Sequence, residues 1–391
     1  MISFTEEPSP FRCKNHVCLR VGERVVLFGG YCEDDRNLDH LWTMIPATRQ
    51  WTRVRWVSNR APGPRNGHAG AAIDDKRMLI VGGWSGSSVY DDVWELDCET
   101  WVWEKWPGVS LRCNMCTAAQ HGGIVYLFRG GDGQSYHADV WALDPRPRQA
   151  TLVETRGHGP GPRAGFSVAA FGDDMYLGGG WDGARRFGDL YRFHVPTRTW
   201  HPFPRTLPAV AGAAMGVHLL GPRLYLVMCG GTGEDRAYDP CTYAVDTSAP
   251  SEESSDSPSG TDITETPPTA RAGHRMVALG AGTFLVVGGC GASANCDTNV
   301  LLDVRGVRPT VWVDAANDSV DRASVFADHL ETGRFADVLL RVNDEAELIP
   351  AHRIVLAASN ERFAAQLSAR WDSPNQSPPT RLPVLGVRVA E

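Results

Sequence analysis

The chain has 391 residues, 42% of them hydrophobic and 21% charged, which excludes wholesale disorder and predicts two or three domains at about 150 residues each. A net charge of −8 argues against a nucleic-acid binder working through bulk electrostatics. The longest weakly polar stretch, residues 277–289, is too short and too Gly-rich to span a bilayer, so neither nucleic acid nor membrane is an expected partner.

The first residues carry no basic segment followed by an apolar one, so no secretory signal is expected and the ten cysteines are expected as reduced thiols in the cytoplasm or nucleus. Cys113 and Cys116 form one CxxC with no second pair at zinc spacing. Two counts stand out: 41 Gly and 13 Trp. They mark a repeat.

Gly doublets close an apolar run at Gly29-Gly30, Gly82-Gly83, Gly130-Gly131, Gly179-Gly180, Gly230-Gly231 and Gly288-Gly289, at intervals of 53, 48, 49, 51 and 58 residues. Ten to twelve residues later comes a second run, centred on Trp42, Trp94, Trp141, Tyr191, Tyr243 and Val300. Trp51, Trp103 and Trp200 follow nine residues further on in three of the repeats. Each unit reads as four short strands, A to D, with no helical period in the first 315 residues. One such unit cannot bury both faces of its sheet, but six packed face to face around an axis can. The doublets then permit close backbone approach near the axis, and the aromatics of strands C and D fill the wedges between blades.

These spacings resemble the kelch repeat over residues 12–314. The resemblance implies an all-β six-bladed kelch β-propeller. Residues 310–313 are expected as the outer strand of the sixth blade, with residues 1–11 a candidate further strand beside it. Residues 249–270, acidic and rich in Ser and Pro, are expected as a solvated insertion between blades five and six.

After residue 313 the pattern changes. Apolar residues at helical spacing over 319–330 precede strand-like runs at 336–342 and 348–352, a second amphipathic helix over 353–367, and a strand start near 381–385. The ordered residues Phe335-Ala336-Asp337-Val338, Ala351-His352-Arg353-Ile354 and Phe363 resemble the opening of a BTB/POZ domain. Residues 319–391 are therefore expected to form its N-terminal part, a partial α/β BTB/POZ domain that stops at Glu391 short of the family's later helices. In that family the positions of Asp337, His352 and Arg353 line a homodimer interface. A helix-start bond to backbone is the plain alternative for His352.

Antiparallel connectivity puts the B–C and D–A loops on one face. That face is expected to carry Tyr31, Trp84 and Trp181 directly after their doublets. Arg185 and Arg186 lie in the same loops, and Arg12, Arg65, Arg112, Arg163 and Arg271 are on the D–A side. An arginine ring at the mouth would suit an acidic peptide or carboxylate. The alternative is that residues repeated in most blades brace each blade. No GxSxG, HExxH or P-loop pattern is present. Kelch propellers include a copper oxidase and specifier-type iron proteins, but no position here carries those patterns, so no catalytic residue, metal or cofactor is expected. The pairing of modules resembles that of substrate adaptors of cullin-RING ubiquitin ligases, and its order that of leucine-zipper-like transcriptional regulator proteins, whose relatives engage small GTPases. It implies a propeller that captures a protein target and a BTB part that dimerises and docks a cullin. The other readings are a kelch scaffold with no ligase role and, further off, a kelch-fold metal oxidase.

Overall fold

The computed structural model describes residues 12–58, 60–220, 223–247, 270–280, 282–292, 295–296 and 299–304 in full. It also gives the backbone of residues 3–8, 261–262, 298, 338–342, 348–351 and 384–387. Every regular element among them is a β-strand. Contacts divide the chain into two units, Met1–Thr310 and Val311–Glu391.

The first unit is a six-bladed propeller. Blade one is built from Val17–Val21, Arg24–Phe28, Leu41–Ile45 and Gln50–Val54, each antiparallel to the next. Blades two and three repeat the order from Ala69–Ala72 to Val102–Lys105 and from Thr117–His121 to Gln149–Leu152. Blade four runs from Ser167–Phe171 to Thr199–Thr206, and Arg156–Gly157 adds a short parallel strand at its outer edge. The six innermost strands contact one another in a closed ring.

Strand alternation explains why each blade needs two neighbours. Successive side chains of a strand point to opposite faces. Val26 and Phe28 therefore pack with Met78, Ile80 and Trp94 of blade two, while Val25 and Leu27 between them pack with Leu285, Val287 and Leu301 of blade six. Six such clusters fill the six interfaces. Trp103 and Trp200 are buried in two of them, which is the wedge-filling role expected of the repeated aromatics.

Two outer strands refine the expectation, the first by taking up the candidate strand of residues 1–11 as the fourth of its blade. The fourth strand of blade six is Ser3–Pro8 from the other end of the chain, antiparallel to Thr298–Asp303. Closing the ring this way covers a sheet edge that would otherwise stay unpaired; residues 310–313 lie outside the described residues. In blade five, Thr261–Asp262 of the acidic insertion pairs with Thr242–Asp246 as the fourth strand, so that insertion is not loop throughout.

At the axis the chain makes a second closure. Asn15, Gly67, Met115, Gly165, Gly212 and Gly273 each stand two residues ahead of an inner strand, and all six have positive φ, between 49° and 72°. The N–H of each donates to the carbonyl of its counterpart in the preceding blade, at 2.7 to 3.0 Å. The chain of bonds runs Asn15 to Gly273, Gly212, Gly165, Met115, Gly67 and back to Asn15. Four glycines take this left-handed conformation without penalty, whereas Met115 carries a cost of about 1–2 kcal/mol there.

The second unit shows three strands. Val338–Val342 pairs antiparallel with Leu348–Ala351 and parallel with Val384–Val387. These match the strand-like runs read from sequence. The expected helices, and Asp337, His352 and Arg353, lie outside the described residues.

Candidate interaction face

In every blade the residue after the doublet position forms a bridge or strand pair with the D–A segment that leads into the same blade: Tyr31 with Lys14, Trp84 with Asn66, Gly131 with Asn114, Trp181 with Ala164, Thr232 with Ala211, and Cys290 with Ala272. The B–C and D–A loops thus share one face. The B–C loops of blades two, three and four are small hairpins, each shaped by a local cap. Asp132 accepts from the backbone N–H of Gln134 and Ser135, Asp182 from those of Ala184 and Arg185, and the Ser85 hydroxyl from those of Ser87 and Ser88. These bonds hold the Asp132 and Asp182 carboxyls below the usual carboxylate range. A Ser or Asp directly after the doublet's follower is the sequence signal for this turn.

The hairpins interlock around the ring. Asn37 donates to the Trp84 carbonyl at 3.0 Å, Tyr136 meets Trp181 edge-on at 5.9 Å, Arg186 reaches the Thr232 hydroxyl at 3.5 Å, and the Asn295 N–H donates to Glu33 at 3.1 Å.

Three of the five D–A arginines do not form a charged mouth. Arg65, Arg163 and Arg271 are 0%, 2% and 1% exposed. Arg65 donates to both oxygens of Asp92 at 2.6 and 3.1 Å, to the Gly82 carbonyl at 2.9 Å and to the Gly63 carbonyl at 3.0 Å, and its guanidinium lies 4.1 Å from the Tyr90 ring. Arg163 repeats the pattern with Asp189, the Gly179 and Gly161 carbonyls and the Phe187 ring. Arg271 donates to the Gly288 carbonyl. Each ties the entry of strand A to the doublet and, in blades two and four, to the carboxylate that leads strand C. Burial alone would raise the Asp92 carboxyl; the Arg65 fork and the Trp94 indole hold it below its ordinary value. An arginine ring for an acidic peptide is therefore not what these three side chains build, because their charge is spent inside the blade.

Blade three departs instructively. Gly130, not Gly131, occupies the position of Gly83 and Gly180, since the His137 N–H donates to Gly130 as Tyr90 does to Gly83 and Phe187 to Gly180. The doublet there is shifted by one residue. Arg129 stands where the other blades have their first glycine, and Gly131 stands where Tyr31, Trp84 and Trp181 do. The Arg129 side chain takes the brace, donating to Asp139 at 3.3 Å and to the Arg112 carbonyl at 3.2 Å. Arg112 is thereby left at the surface, where its Nε donates to the Asp132 carbonyl at 2.9 Å. Arg12 is likewise exposed and pairs with Glu33.

What the face presents is aromatic and unevenly distributed. Trp181 is 39% exposed, and Tyr31 and Trp84 are partly exposed. Arg112 and Arg185 are exposed, and Arg186 is half-buried against blade five. Aromatics at the bridge position in blades one, two and four, against Gly131, Thr232 and Cys290 in the others, give a face with one distinct orientation. Among the described residues no group of three or more His, Cys, Asp and Glu is placed to hold a metal ion.

Comparison with known proteins adds the family. A KLHDC2/KLHL20/DRC7 Kelch-repeats domain profile matches residues 2–112 and 107–249, and a BTB/POZ domain profile matches residues 326–387. Similar curated proteins include the dynein alpha chain of the flagellar outer arm of Chlamydomonas reinhardtii, 31% identical over 228 residues, covering 52% of this chain and 5% of that one. Kelch domain-containing protein 3 of Rattus norvegicus is 29% identical over 224 residues, covering 49% and 57%. The leucine-zipper-like transcriptional regulator 1 homolog of Drosophila melanogaster is 27% identical over 212 residues, covering 51% and 21%. The chain thus spans from a twentieth to just over half the length of these relatives.

Proposed function

The chain belongs to the kelch-repeat family and carries a BTB/POZ segment, and from that premise we propose that it is a cullin-RING ubiquitin ligase adaptor. The propeller captures a protein target on the B–C and D–A face. The BTB/POZ segment forms a homodimer through the positions of Asp337, His352 and Arg353 and recruits the cullin, in the cytoplasm or nucleus.

The observation that carries the target-binding part is the uneven aromatic face. Partly exposed Trp side chains set among capped, interlocked hairpins offer large apolar area on a rigid support, and such residues dominate protein interfaces. Arg112 and Arg185 supply polar contacts at the rim. The arginines at 65, 163 and 271 act on the target only by keeping the hairpins in place. Chemistry at a catalytic residue has no part in this reading.

Co-purification with the full-length protein from cells, probed for cullins and for dimerisation by light scattering, tests the ligase part. A cullin that co-purifies with a dimer supports it. Target capture without any cullin would leave a kelch scaffold instead.

A further inference from the structure

Beneath the ring of six backbone hydrogen bonds lies an axial cavity of about 220 Å³, lined by the starts of the inner strands. Its lining is small or neutral apart from Arg275, on the inner strand of blade six. That guanidinium donates from Nη1 to the carbonyl of neighbouring His274, at 3.2 Å. No carboxylate is among the residues that line the cavity. The ionisable groups that feel the Arg275 charge are the imidazoles of His16, His68 and His274 and the thiols of Cys18 and Cys116, contributed by blades one, two, three and six. All three imidazoles are buried and held neutral, first by burial. The contrast with Arg65 and Arg163, each matched to a carboxylate, is direct. Arg275 is itself half-buried, and a cation facing a cavity that holds no counter-charge draws a mobile anion into it.

We propose that this cavity is an anion site, in which Arg275 holds one small inorganic anion of the size of chloride on the propeller axis. The volume fits an anion with a few waters, each occupying about 30 Å³. An acidic peptide is a poorer occupant, because the peptide groups at the ring already spend their N–H and C=O on one another and offer none to a guest backbone.

The test is thermal and urea unfolding of the full chain in sodium chloride against sodium gluconate at equal ionic strength, on wild type and on Arg275→Met. Above the dissociation constant, each tenfold rise in chloride should raise the folding constant of the wild type up to tenfold, and gluconate should not. Arg275→Met should lose that dependence. Bromide-soaked crystals of the wild type should show one anomalous peak beside the guanidinium, a readout independent of how well the variant folds. Equal midpoints in the two salts, the same chloride dependence in Arg275→Met, or no bromide at Arg275 would each overturn the proposal.

Discussion

Replacing Arg65 by Met separates a bracing arginine from one that greets a partner. The side chain loses two bonds to Asp92, one to the Gly82 carbonyl and one to the Gly63 carbonyl. Asp92, whose side chain is 10% exposed, is left as a buried carboxylate held by the Trp94 indole and the more distant charge of Lys105. Because neither partner is solvated, little discount for screening applies, and breaking such a pair costs about 3–5 kcal/mol. The double variant Arg65→Met/Asp92→Leu removes both charges and should recover most of this, keeping a deficit of about 1–2 kcal/mol for the carbonyl oxygens left unsatisfied. Urea unfolding followed by tryptophan fluorescence at pH 7 measures both. The pH dependence has a definite sign. Asp92 has a depressed folded-state pKa, so the stability it contributes is present above its unfolded value of about 3.9 and is lost as pH falls through the folded one. In Arg65→Met the same carboxyl is pushed up instead and is protonated early, so the deficit of the variant should begin to shrink above about pH 4, as pH falls through that raised value, and go on shrinking below it. A loss under about 1 kcal/mol, or a double variant no better than the sum of its singles, would refute the brace.

Blade three offers a paired control: Arg129→Met should cost about 1–2 kcal/mol and Arg112→Met under about 0.5 kcal/mol in the same assay, the reverse of what in-register doublets would give. Gly288→Ala should cost about 2 kcal/mol or more of stability and lower the unfolding temperature, because its β-carbon would stand 2.4 Å from the Cys13 carbonyl oxygen at φ 62°. Deleting residues 3–8 should expose the edge of Thr298–Asp303 and show as a lower unfolding midpoint with concentration-dependent light scattering.

Much of the fold is written locally. Runs such as Val25-Val26-Leu27-Phe28 announce a strand buried on both faces, and six of them with following aromatics announce the propeller. What escaped a sequence reading depends on separations the chain does not display. Arg65 and Arg163 find carboxylates 27 and 26 residues away, and only folding tells a bracing arginine from a presented one. Blade three contains Arg129-Gly130-Gly131, and either alignment of the doublet satisfies the apolar pattern before it; the hydrogen bond from His137 decides. The closing strand Ser3–Pro8 pairs with the far end of the propeller; the sequence offers residues 1–11 as a candidate strand there, but no periodicity says that they take the fourth place. Arg275 carries no motif at all, and its significance appears only once six inner strands surround it. The shared face of the loops holding Tyr31, Trp84 and Trp181, by contrast, follows from antiparallel connectivity alone.

The most direct test of the adaptor account is proximity labelling in cells with the full-length wild-type protein and with a Trp84→Ala/Trp181→Ala variant, after circular dichroism has shown that the variant keeps its fold. Truncating two interface anchors should cost about 2 kcal/mol or more of binding, roughly a thirtyfold loss of affinity. A defined set of proteins should therefore disappear from the labelled pool. An unchanged set of labelled proteins, with the propeller intact, would contradict the claim that this face captures the target.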